Sequence, residues 1–142
     1  MITEILLFIF LWFTMCGLWH EIMHTFECWR QGCKYGDYII LPDFKHLSLH
    51  YIYFGDVTNK DQIKLSGGLY TSIICFILSF LVYGHWNYLG WLFVTFGWVQ
   101  LCYSIFEWRY ISKLDDRQYL LGRYVIYVIS VLVNLLIWIF VK

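Results

Sequence analysis

Charge is scarce in this sequence. Asp, Glu, Lys and Arg make up 14% of its 142 residues, against roughly 25% in soluble domains, while hydrophobic residues reach 61%. A soluble domain of this length buries only about 70% of the surface its unfolded chain exposes. That is too little to hide so much apolar area, so a single soluble domain is excluded and a lipid bilayer is the fitting solvent. Neither sign dominates the charge that is present, with ten basic residues against ten acidic ones. There is no basic stripe of the kind that marks a nucleic-acid interface, so no nucleic-acid partner is expected. The five cysteines show no Cys-x-x-Cys spacing, which argues for free thiols rather than a disulfide framework. Proline occurs once, at Pro42. Internal repeats, low-complexity tracts and linkers are missing too, so residues 1–142 read as one domain.

What is abundant is long apolar runs. Four segments, about 2–26, 65–83, 86–106 and 119–141, approach the 20 or so residues needed to cross a hydrocarbon core of about 30 Å. The expected fold class is an all-α membrane protein of four transmembrane helices, with a small β-hairpin or sheet in the loop after helix 1. The first run lacks a basic leader region and a small-residue cleavage site, so it reads as a mature helix rather than a secretory signal. Spans two and three are joined by a few residues around Gly84 and His85, which predicts an antiparallel helical hairpin. In the loop at 27–64, alternation over 46–54 sets His46, Ser48 and His50 on one face and Leu47, Leu49 and Tyr51 on the other. A shorter run at 38–41 ends at Pro42, and the two together predict the small sheet. Aromatic residues, 23% of the chain, fit interfacial anchors and lipid-facing bulk.

The few charges are unevenly placed. Arg30, Lys34, Lys45, Lys60 and Lys64 lie in the first loop, Arg109, Lys113 and Arg117 in the third, and Arg123 just inside the fourth span. Only Lys142 falls on the opposite side. The positive-inside rule makes the face with loops one and three cytoplasmic and puts both termini outside.

Chemistry concentrates at the end of the first span, where His20-Glu21-Ile22-Met23-His24 contains His-Glu-x-x-His. On a helix, positions i and i+4 share a face, so both imidazoles reach one metal while Glu21 is held beside it to handle the proton of a water. With five His and four Glu in the chain, roughly 0.005 accidental matches to this pattern are expected. A catalytic zinc takes three protein ligands, and the third must come from the same membrane depth. His20 lies 18 residues into its helix, about 27 Å from the outer end, and the acids on that side are Glu107, Asp115 and Asp116.

These features, in this order, resemble the site-2 protease family of intramembrane zinc metalloproteases. His20-Glu21-Ile22-Met23-His24 matches that family's zinc helix, and Gln31-Gly32 falls where it often has Leu-Gly. Tyr53-Phe54-Gly55-Asp56 resembles its Phe-Gly-Gly turn, and the stretch from Asp61 through Gly67-Gly68-Leu69 its Ala-Gly-Pro helix start. Phe106-Glu107 followed by Leu114-Asp115 is similar to the family's Phe-Asn…Leu-Asp-Gly stretch. The resemblance spans about residues 15–120. It implies Zn2+ held by His20, His24 and Asp115, with Glu21 as the catalytic base. It also implies that the partner is a transmembrane protein substrate, cut near the cytoplasmic face. The strand at 47–54 would either hold an unwound stretch of substrate by strand addition or shield the site from water.

The chain departs from that pattern at three positions. Glu107 stands in place of the asparagine, Tyr110 in place of a proline three residues on, and Asp116 in place of the glycine. Glu107 is therefore a rival third ligand, with Asp116 or a further histidine the remaining alternatives. On a straight third helix it lies 21 residues past Trp86, about 32 Å down and nearly level with His20. Asp115 instead requires the helix to break and fold back, without the proline that causes breaks. The altered positions also keep open a second function, a catalytically silent membrane zinc-binding or interaction module derived from such a protease.

Overall fold

The computed structural model describes residues 2–34, 38–43, 48–53, 57–110 and 113–141. Lys45, His46, the turn at 54–56 and Ile111-Ser112 lie outside the described residues, as do the side-chain faces expected along the second strand. The first span is one rod in three parts: α1 (Ile2–Leu11), a π-helix (Trp12–Trp19) and α2 (His20–Arg30). Two strands follow, β1 (Tyr38–Asp43) and β2 (Ser48–Tyr53), then α3 (Lys60–Val82), α4 (Asn87–Tyr110) and α5 (Asp116–Val141). The strands pair antiparallel with Tyr38 opposite Tyr53 and Asp43 opposite Ser48, and β2 lies against the π-helix and α2.

Four helical stretches are long and apolar enough to cross a membrane: Ile2–Arg30, Lys60–Val82, Asn87–Tyr110 and Arg117–Ile137. This is the outline of a multi-pass membrane protein. The outward faces fit lipid rather than water, with Phe80 and Phe140 exposed at 83% and 85%. The apolar core, formed by Leu11, Met15, Cys75, Leu92, Phe93 and Phe96, joins the first rod to α3 and α4.

Helix ends are set by local chemistry. Asn59 caps α3, its Oδ1 accepting from Gln62 N at 3.0 Å. Gly84, with φ +93°, supplies the left-handed turn that ends α3 and returns the chain into α4. Asp115 and Gln118 form a reciprocal capping box at the start of α5: Asp115 Oδ1 accepts from Gln118 N at 2.8 Å, and Gln118 Oε1 from Asp115 N at 3.3 Å.

The π-helix decides which face of the first rod is buried. Leu11, Met15, His20, His24 and Glu27 are all buried. On an unbroken α-helix, Met15 and His20 would point about 140° apart. A π-turn closes hydrogen bonds over five residues and so brings residues five apart much nearer to one face. The inward face therefore passes from Leu11 and Met15 onto His20 and His24.

Candidate metal centre

Three helices place side chains at one point. From α2 come His20 and His24, one turn apart. From α4 come Gln100, Tyr103, Ser104 and Glu107, which recur at three- and four-residue spacing and are all buried. From α3 come the carbonyl of Ile63 and the bare backbone of Gly67. A methyl carbon at Gly67 would run into the His24 ring, at 2.5 Å from Cε1 and 2.8 Å from Cδ2. Glycine there is what allows α3 to pass over the imidazole.

His20 Nε2 and His24 Nε2 are 3.0 Å apart, and Glu107 Oε2 lies 3.2 Å from the first and 3.7 Å from the second. Four-coordinate zinc, with donors about 2.0–2.2 Å from the ion, requires those donors to stand about 3.3–3.6 Å from one another. The three separations bracket that range. His24 Nδ1 is 2.6 Å from the Ile63 carbonyl, which can only accept, so Nδ1 carries a proton and Nε2 is the nitrogen left facing the cluster. His20 Nδ1 meets Gln100 Oε1 at 2.8 Å, with the same consequence. Two imidazole Nε2 atoms and a carboxylate oxygen converge in a buried pocket, an arrangement that a shared cation would stabilise. The nitrogen–nitrogen–oxygen donor set and the hydrogen-bonded outer ring nitrogens both suit zinc. These residues could hold a metal ion.

The carboxylate at the imidazoles is Glu107, in place of the expected Asp115. Asp115 is exposed and its side chain caps α5. The physical reason is the missing break. With Tyr110 where a proline would interrupt the helix, α4 runs unbroken to that residue. Among the described residues Asp115 does not join the histidines, its side chain being engaged at the start of α5. Only the backbone of Asp116 is described. Glu21 is buried on α2 next to His20.

Several participants were not anticipated from the sequence. Gln100 and the Ile63 carbonyl hold the outer ring nitrogens, and Ser66 Oγ donates to the same carbonyl at 2.7 Å. Tyr103 packs its ring 5.3 Å from that of His20 and shares a hydrogen bond with the Tyr119 hydroxyl of α5. One turn beyond His24, the fully buried Glu27 accepts from Arg30 Nε at 2.9 Å, Arg30 Nη2 at 2.8 Å, Gln31 Nε2 at 2.8 Å and Tyr70 OH at 2.9 Å. Gln31 in turn accepts from Asn59 N at 2.9 Å, so this polar cluster fastens the end of α2 to the start of α3. The available signal for Gln100 was a polar residue inside an apolar span, three and seven positions before Tyr103 and Glu107.

No protein-family model, curated protein or solved structure matches this chain.

Proposed function

We propose that the chain is an intramembrane zinc metalloprotease that hydrolyses a peptide bond within or near a transmembrane segment of a substrate protein. The observation that carries this reading is the convergence of His20, His24 and Glu107 with Glu21 on the adjacent helix position, inside a bundle of apolar helices long enough to span a bilayer. Here His20 and His24 contribute neutral nitrogens and Glu107 one carboxylate oxygen. A zinc ion held by these three residues would supply Lewis acidity toward the scissile carbonyl and toward water. Glu21 takes the proton of the attacking water and returns it to the departing amine. A helical substrate must unwind locally before its backbone can be reached, because helical amides are already paired. β2, which lies against α2, would hold the extended stretch by strand addition. The charge distribution orients the site toward the cytoplasmic face, with both termini outside.

The decisive comparison is wild type against Glu21→Gln, each purified and loaded with zinc, acting on transmembrane peptides in proteoliposomes. The variant should keep stoichiometric zinc and lose turnover by at least a hundredfold, because it removes the base and leaves the ligands alone. Cleavage by Glu21→Gln at the wild-type rate would sink the protease reading. Zinc binding without cleavage of any helical membrane substrate by the wild type would favour the silent binding module.

A further inference from the structure

The two imidazoles are oriented by different helices and by different kinds of group. His24 is held by a main-chain carbonyl of α3, His20 by a side chain of α4. That side chain, Gln100, is fully buried, and its position is set by a close helix contact. A Cβ at Gly68 of α3 would stand 2.5 Å from the Gln100 carbonyl and 2.6 Å from Ser104 Cβ, and Ser104 Oγ donates to the Leu65 carbonyl at 2.6 Å. The carboxamide is also turned to serve one partner. Its Oε1 meets His20 Nδ1, while Nε2 makes no hydrogen bond within normal limits among the described residues.

We propose that Gln100 is a positioning residue that fixes His20 in the Nδ1–H tautomer and so presents Nε2 as a metal-binding lone pair. Turned the other way, the amide would offer a donor to Nδ1, move the ring proton to Nε2, and aim it at His24 Nε2 and Glu107. The role rests on reading His20, His24 and Glu107 as a metal centre, but the tautomer can be measured without any metal.

The experiment records nitrogen-15 spectra of histidine-labelled protein stripped of metal, with the His20 signals identified by their loss in His20→Ala. Recorded at a pH where its ring is neutral, wild-type His20 should carry its proton on Nδ1. Gln100→Met, close in size but without an acceptor, should shift that population toward Nε2–H and weaken cobalt(II) binding 10- to 100-fold. Gln100→Glu restores an acceptor and should keep both the tautomer and an affinity within about threefold. Ser104→Ala, at the same helix contact, should leave the tautomer unchanged, which separates orientation from general packing. An Nε2-protonated His20 in the wild type overturns the proposal without recourse to any variant. So does a Gln100→Met protein with wild-type tautomer and cobalt affinity within twofold. A chain that binds no cobalt yet shows the Gln100-dependent tautomer supports the orienting role and overturns the metal-centre reading instead.

Discussion

Gly67→Ala perturbs the candidate metal centre without replacing His20, His24 or Glu107. The added methyl carbon would sit 2.5 Å from His24 Cε1 and 2.8 Å from Cδ2, where ordinary contact begins at 3.4 Å. Relief therefore requires the ring or helix α3 to move by roughly 1 Å, a shift set by the van der Waals overlap. The ring has little room to yield, because Nδ1 is tied to Ile63 O at 2.6 Å and Nε2 faces His20 at 3.0 Å. Overpacking of this kind costs about 1–3 kcal/mol, and loss of the Ile63 bond adds about 1 kcal/mol. Metal sites tolerate ligand displacements of only about 0.2 Å, so zinc affinity should fall at least tenfold.

The matched control is Gly17→Ala, in the π-helix, where a Cβ would meet nothing within 4 Å. That variant should be neutral or more stable by up to about 1 kcal/mol. Zinc titration against a fluorescent chelator and thermal unfolding in detergent read both quantities. If Gly67→Ala binds zinc with wild-type affinity and unfolds at the wild-type temperature, α3 does not pass over His24 as described.

Two further substitutions divide the roles of the acids. Glu107→Ala should abolish stoichiometric zinc by elemental analysis, whereas Asp115→Ala should keep it and lose about 1 kcal/mol of stability with its helix cap; the reverse pattern would return the ligand role to Asp115. Glu27→Leu removes the acceptor shared by Arg30, Gln31 and Tyr70 and should destabilise the protein by about 1–3 kcal/mol, seen as a lower unfolding temperature in detergent. An unchanged unfolding temperature would show that the cluster does not fasten α2 to α3.

Much of the fold was legible because the solvent is. Long apolar runs separated by short polar stretches have few arrangements other than spanning helices, and all four appear near the expected positions. Their ends were less legible. The apolar runs stop near Phe26 and Phe106, yet the helices continue to Arg30 and Tyr110. Hydropathy marks where hydrocarbon ends, whereas helical hydrogen bonding continues into the headgroup region until a cap or turn stops it. Gln31-Gly32, with Gly32 at φ +95°, supplies such a stop after α2. The π-helix left no trace in composition: Trp12–Trp19 contains no proline. Only the five-residue step between buried Met15 and buried His20 betrays it.

The site divides along the same line. His20, Glu21 and His24 were readable because a helix turns a sequence spacing into a shared face. For the third position two arguments competed. Similarity of motif order pointed to Asp115, while the rise of a straight helix put Glu107 at the depth of His20. The placement follows the helix: without a proline at 110 nothing offsets the loss of backbone hydrogen bonds that a break would cause. The same reasoning reaches Gln100 once Glu107 is placed. Residues seven apart lie two turns along one helix face, so a polar side chain at 100 must face the bundle beside the imidazoles or face lipid unsatisfied. The Ile63 carbonyl had no comparable signal, since every residue carries one, and only the approach permitted by Gly67 brings that particular carbonyl to His24.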